Sequence, residues 1–275
     1  MDNNIPHIPL GKQVTYPSSY KPELLFPVAR RLNREKIGIS GGLPFTGVDI
    51  WNAYEVSWLE PEGKPQVAIA EIRFSLDTVN IIESKSFKLY LNSFNQTHFS
   101  SAEDVVQVIG QDLQQAVQGE VTVSLTLPND FHRCQMIEPE GLCLDELDIT
   151  TDCYSHKPDF LTHGANRIEE CLYSNLLRTN CPVTGQPDWA TLIINYTGKK
   201  INRNGLLSYI ISFREHTGFH ENCVEQIFLD LMQYCSPEKL SVYARFTRRG
   251  GVDINPFRST ADHFAIPDNI RLARQ

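Results

Sequence analysis

The sequence predicts an α+β fold built by tandem duplication of one strand-strand-helix-helix-strand-strand unit, with antiparallel sheets carrying paired helices on one face. Apolar and polar residues alternate over Gly47–Leu59, Pro65–Leu76 and Glu120–Leu127, the period of a half-buried strand. Between them, Phe87, Leu91 and Phe94, then Val105, Val106, Ile109 and Leu113, recur at helical spacing. The grammar then repeats: Ser212-Phe213 and Val224 each lie 119 residues after Ser93-Phe94 and Val105.

In chain order, residues 1–35 carry Pro6, Pro9, Pro17, Pro22 and Pro27 without periodicity, and read as a mostly extended arm. A first module follows over 36–150. Its opening strands join through the turn Pro61-Glu62-Gly63-Lys64, its helices start at Glu83 and Ala102, and Leu142–Ile149 reads as a closing strand. The second module, 151–275, has strands at Leu172–Leu177, Thr191–Tyr196 and Leu240–Thr247, and helices at Leu206–Phe213 and Val224–Tyr234.

Composition narrows the function. A net charge of −8 over 275 residues argues against a nucleic-acid backbone as partner. No apolar run reaches the length of a membrane span, and the first ten residues lack a signal peptide's basic start and apolar core. A cytoplasmic protein is expected, with no membrane and no nucleic acid among its partners. Seven irregularly spaced cysteines do not suggest a disulfide framework.

One stretch is a good mount for chemistry. In Asn180-Cys181-Pro182-Val183-Thr184-Gly185-Gln186-Pro187-Asp188-Trp189, two prolines and a glycine stiffen an exposed turn that carries a thiol and a carboxylate. An isolated free cysteine is ordinarily just a small buried hydrophobe. The glycines at 38–47 lack dinucleotide-fingerprint spacing, so no Rossmann site is expected. The polar residues of the two modules do not repeat: Glu83-Ser84-Lys85 stands against Asn202-Arg203-Asn204, and Ser101-Ala102 against His220-Glu221. Such differences suit one composite site drawn from both modules, or ordinary helix-end polarity.

Glu83-Ser84-Lys85-Ser86-Phe87-Lys88-Leu89-Tyr90, the Cys181–Trp189 stretch, Phe219-His220-Glu221 and Arg248-Arg249-Gly250-Gly251-Val252-Asp253-Ile254-Asn255-Pro256 together resemble the QueF family. These are the NADPH-dependent 7-cyano-7-deazaguanine reductases of queuosine biosynthesis, a tRNA modification, and the resemblance is to their long two-module form. It implies tandem tunnelling-fold modules and a homodimer. It also implies four-electron reduction of a nitrile to an aminomethyl group by two NADPH, through a thioimide on Cys181. Asp188 would shuttle the thiol proton and His220 would supply one. Glu221 and Glu83 would accept the N–H donors of the deazaguanine edge, with Phe219 over the ring face. By the same resemblance Ser84, Lys85, Arg248, Arg249 and Gly250 would help bind NADPH.

Two other classes stay open. A zinc-dependent purine or pterin hydrolase of the same fold would draw on Cys134, Cys143, Cys153, His156, His163 and Cys171, which lack close Cys-x-x-Cys pairing. A non-catalytic purine-binding module would leave Cys181 a buried thiol. The expectation is a reductase with no metal.

Overall fold

The structure, a computed structural model, describes residues 17–260 and 264–275. The first sixteen residues of the expected arm, with Pro6 and Pro9, lie outside the described residues. The chain divides into two compact units. Unit 1 takes the chain to Ser40, then Trp51–Cys134 and Arg249–Val252. Unit 2 takes Gly41–Ile50, Gln135–Arg248 and Asp253–Gln275.

Unit 1 contains β1 (Pro27–Ala29), α1 (Arg30–Lys36), most of β2 (Thr46–Leu59), β3 (Pro65–Ser75), β4 (Asn80–Ile82), α2 (Ser84–Asn92), α3 (Ala102–Val117) and β5 (Val121–Thr126). Its sheet runs β5-β3-β2, while β1 and β4 form a short antiparallel ribbon. The arm is not wholly extended, because α1 lies within it. This helix buries Arg30 and Arg34, which reach Thr78 Oγ1 (2.8 Å) and the Leu76 carbonyl (3.1 Å). A helix anchored by buried arginines carries no hydrophobic periodicity to read.

Unit 2 contains β6 (Leu142–Cys143), β7 (His163–Asn180), β8 (Pro187–Ile201), α4 (Arg203–Ser212), α5 (His220–Cys235), β9 (Lys239–Phe246) and nearly all of β10 (Val252–Ser259). Its strands run β10-β9-β8-β7-β6, antiparallel except for the β6–β7 pair. The strands expected at 172–177 and 191–196 are the apolar centres of much longer ones. The strand expected over Leu142–Ile149 stops at Cys143. Asp145 then turns inward to accept from Ser174 Oγ (2.6 Å) and the Asn175 amide (3.0 Å). With Asp253, Asn255, Pro256 and Arg258, β10 has the letters of a polar loop, yet every one of its residues is buried.

The two units share one plan down to single hydrogen bonds. Glu83 caps α2 by accepting from the Lys85 and Ser86 amides (2.9 and 2.7 Å), and Asn202 caps α4 through the Asn204 and Gly205 amides (3.1 and 3.2 Å). Gly205 is required there, because a Cβ would stand 2.2 Å from the Phe160 carbonyl oxygen. Ser93 and Ser212 each donate from Oγ to the carbonyl three residues back, both at 2.6 Å. In the second helices the equivalence slips by one residue. Val105, Ile109, Leu113 and Val117 are buried in α3 as Cys223, Ile227, Leu231 and Cys235 are in α5. Both helices end on a left-handed residue, Gln118 (φ 54°) and Ser236 (φ 47°). Val105 therefore corresponds to Cys223, not to Val224.

The repeat also reaches back into the arm. Lys21-Pro22-Glu23-Leu24-Leu25 and Lys157-Pro158-Asp159-Phe160-Leu161 both form a single 3-10 turn. Before them, Tyr20 and Tyr90 converge on Asp112 in unit 1 (both 2.6 Å), and His156 and Tyr209 converge on Asp230 in unit 2 (2.7 and 2.5 Å).

Candidate functional site

The thiol sits at the mouth of the β7–β8 hairpin. The Cys181 N–H donates to the Gln186 carbonyl (2.9 Å), and the Cys181 carbonyl accepts from the Gly185 N–H (3.0 Å). Gly185 closes this turn at φ 68°, a conformation that side chains resist. The turn was expected to expose its reactive residue, and its tip is exposed at Thr184 to Gln186, but Cys181 itself is only 8% exposed. Strand alternation explains the difference. Leu177 and Thr179 point to the covered face of β7, and Cys181 continues that alternation one residue beyond the strand. The register pairs Leu177 with Ala190 and Thr179 with Asp188, which puts Asp188 on the same face, 6% exposed.

His220 opens α5 over that face. Its Nε2 lies 3.3 Å from Asp188 Oδ2, and its ring lies flat on Phe246, with centroids 3.7 Å apart and planes at 4°. Phe246 is the β9 partner of Ala190, so the strand register itself sets the platform under the imidazole. The other nitrogen, Nδ1, is buried and has no hydrogen-bond partner among the described residues. Backbone bonds tie the approach to α5 against the thiol turn. The Asn180 N–H donates to the His216 carbonyl (2.8 Å), and the Asn180 carbonyl accepts from the Gly218 N–H (3.2 Å). Phe219 stands at the N-cap without a capping side chain, and Glu221, 4% exposed, lies in the first turn, where the helix dipole favours an anion. Cys181, Asp188, Phe219, His220 and Glu221 therefore all belong to one unit and to the junction of β7, β8 and α5.

Unit 1 builds the same turn without the chemistry. Leu59 bonds Thr97 and Phe99 as Asn180 bonds His216 and Gly218, and the Glu60 N–H donates to the Lys64 carbonyl at 2.9 Å. Glu60-Pro61-Glu62-Gly63-Lys64-Pro65-Gln66 thus matches Cys181–Asp188, with Glu60 in the place of the thiol and Gln66 in the place of Asp188. Here the Gln66 side chain donates to Glu60 Oε1 at 2.6 Å, so the turn geometry brings these two positions within hydrogen-bond reach.

The remaining candidates, Arg248 excepted, lie in unit 1. Ser84 and Lys85 open α2 behind the Glu83 cap, whose two oxygens each accept one backbone N–H. Arg249 and Gly250 form the turn before β10, with Gly250 and Gly251 at φ 62° and 75°. A Cβ on Gly250 would meet the Lys88 side chain at 3.3 Å, so α2 and this turn are neighbours within the unit. Guanidinium and ammonium groups beside a glycine turn are a donor set that fits the phosphates of a dinucleotide. Arg248, in unit 2, is exposed at the end of β9.

The candidate zinc ligands do not assemble. Cys153 Sγ and Cys171 Sγ donate to backbone carbonyls (3.4 and 3.1 Å), and His156 is engaged by Asp230. Among the described residues no group of three or more His, Cys, Asp or Glu side chains could hold a metal ion. No helix among them is long and apolar enough to cross a membrane.

Two family matches cover most of the chain. Residues 16–125 match the family described as nitrile reductase, 7-cyano-7-deazaguanine-reductase N-term, and residues 187–264 match QueF-like protein. The chain is 56% identical over 271 residues to the NADPH-dependent 7-cyano-7-deazaguanine reductase of Desulfotalea psychrophila, covering 98% of this chain and 97% of the relative. It is 54% identical over 274 residues to the enzyme so named from Burkholderia vietnamiensis, covering 99% of this chain and all of the relative.

Proposed function

The chain belongs to the QueF family, and we propose that it reduces the nitrile of 7-cyano-7-deazaguanine to the aminomethyl group with NADPH, in queuosine biosynthesis. The observation that carries this reading is the junction in unit 2. A buried thiol on a stiff turn shares one strand face with a buried carboxylate, and a histidine is held 3.3 Å from that carboxylate. Addition of the Cys181 S–H across the C≡N bond forms one S–C bond and breaks one C–N π bond, with no change in electron count. The thiol proton has to travel to the nitrile nitrogen. Asp188 serves that transfer as a shuttle, because a permanently ionised carboxylate beside the sulfur would disfavour the thiolate.

NADPH, when bound, would supply the two hydrides that the four-electron reduction needs. Each hydride on carbon calls for a proton on nitrogen, and His220 delivers it. Its ring is fixed by the Phe246 platform and its Nε2 faces Asp188. Glu221 accepts the adjacent N–H donors of the base edge, and Phe219 covers its face. Glu83 keeps a lone pair on each cap-engaged oxygen and acts as the second carboxylate toward the base. Ser84, Lys85, Arg249 and Gly250, and Arg248 from the other unit's sequence, are the residues that would hold the cofactor. The working particle is a homodimer of two-module, tunnelling-fold chains in the cytoplasm.

Intact-protein mass after mixing with 7-cyano-7-deazaguanine, without NADPH, tests the reading. A gain of one ligand mass in the native chain but not in Cys181→Ala, reversed by NADPH, is expected. A native chain that binds the ligand without any adduct overturns the thioimide route.

A further inference from the structure

Thr179 is the direct cross-strand partner of Asp188 and is fully buried, at 0% exposure. Its Oγ1 has no hydrogen-bond partner among the described residues. A hydroxyl left unsatisfied in the interior is destabilising, so its presence calls for a reason. The fold does not require it. In unit 1 the same position, one residue before Leu59, holds Trp58, which is buried at 3% exposure and apolar. A hydroxyl therefore occurs on this scaffold in the unit that carries the thiol, and not in its counterpart.

Cross-strand partners have Cβ atoms about 5 Å apart, which brings a threonine hydroxyl within reach of a facing carboxylate after a small rotation of either side chain. Resting on the nitrile-reductase reading above, we infer that Thr179 is a positioning residue for Asp188. Its hydroxyl donates to the Asp188 carboxylate while Asp188 receives the thiol proton. The S–C bond then forms, the nitrile π bond breaks, and the proton passes from Asp188 to nitrogen. A donor to the ionised form favours that form, so the hydroxyl keeps Asp188 ionised, the state that can receive the thiol proton.

The test is the rate of Cys181 adduct formation across pH in Thr179→Val, which keeps the shape and removes the hydroxyl. Adduct formation slows about tenfold or more, as expected for loss of a hydrogen bond to a charged group. The acid limb of its pH profile moves to higher pH, because Asp188 protonates more easily. Ligand affinity changes less than about threefold, Tm holds or rises, and Thr179→Ser restores the rate. A Val variant with the native rate and native pH profile overturns the proposal. Should the Val variant not fold, the Thr179→Ser and Thr179→Ala pair isolates the hydroxyl, and equal rates in that pair overturn it. Failure of the underlying reading looks different, since the native chain itself then forms no adduct.

Discussion

His220 Nε2 lies 3.3 Å from Asp188 Oδ2, and both side chains are largely buried, at 14% and 7% exposure. One comes from the first position of a helix and the other from the second residue of a strand. Their meeting depends on Asn180, whose backbone bonds fasten the 216–218 segment to the end of β7. A carboxylate with the thiol on its own strand face and an imidazole above it can take a proton from one and pass it on.

Asp188→Asn keeps the shape and removes the proton acceptor. Stopped-flow or quenched mass measurements should show adduct formation slowed by about a hundredfold or more, within the usual range for general acid-base groups. Glu221→Ala should mainly weaken ligand binding, read as a higher Kd by calorimetry. Equal defects in both steps for both variants contradict this division of roles.

Phe246 bears on the site through His220, whose ring it carries at 3.7 Å. Phe246→Leu keeps an apolar core residue and loses the flat platform, so the imidazole gains rotational freedom. Turnover should fall several-fold while Cys181 adduct formation, which precedes reduction, stays near native. A parallel loss in both places the effect on the fold of the β8–β9 pair instead.

Much of this was legible in letters, for identifiable reasons. The amphipathic period of Ala102–Val117 and the alternation of β2 and β3 gave those elements nearly to the residue. The residues at the thiol turn carried their resemblance on their own. What escaped were features whose signal is a relation between positions rather than a pattern. β10 is buried because Asp253, Asn255 and Arg258 find partners, and nothing local announces partners. Thr179 matters only once the register sets it opposite Asp188. Aligning Glu60-Pro61-Glu62-Gly63-Lys64-Pro65-Gln66 with Cys181–Asp188, and Lys21–Leu25 with Lys157–Leu161, would have found the true repeat. The fixed offset of 119 hid it, since the loops of the two units differ in length.

His216 stands where unit 1 has Thr97, and its carbonyl holds Asn180. Burial, with His156 adding repulsion and Asp230 opposing, pushes its pKa down from 6.5 to about 4. Below pH 6.5 the unfolded chain takes up a proton that the folded chain refuses until about pH 4. The neutral ring's contribution is thus fully present above pH 6.5 and is lost as pH falls toward 4. Chemical denaturation of His216→Thr against the native chain should show a shallower loss of stability across this window. Superimposable slopes would contradict the assignment.

Arg258 is fully buried on β10 and bridges two carboxylates, Asp49 Oδ1 at 2.7 Å and Glu225 Oε1 at 3.0 Å. Glu225 lies one helical turn beyond Glu221, so this guanidinium pins the helix that presents His220 and Glu221. The same Nη1 that meets Asp49 also reaches the Val48 and Phe257 carbonyls (3.4 and 2.9 Å), and the guanidinium lies over the Phe45 ring at 5.5 Å. Arg258→Met takes this cation away from two buried carboxylates, which should cost about 3–5 kcal/mol. Arg258→Lys retains a charge but not the fork that serves both partners, so it should lose less stability yet still fall below native. The triple change Arg258→Met, Asp49→Asn, Glu225→Gln removes the two carboxylate charges as well and should recover much of the loss. Urea unfolding of the three proteins decides the matter, and a triple variant no more stable than Arg258→Met would show that packing around the guanidinium, rather than charge pairing, is what it supplies.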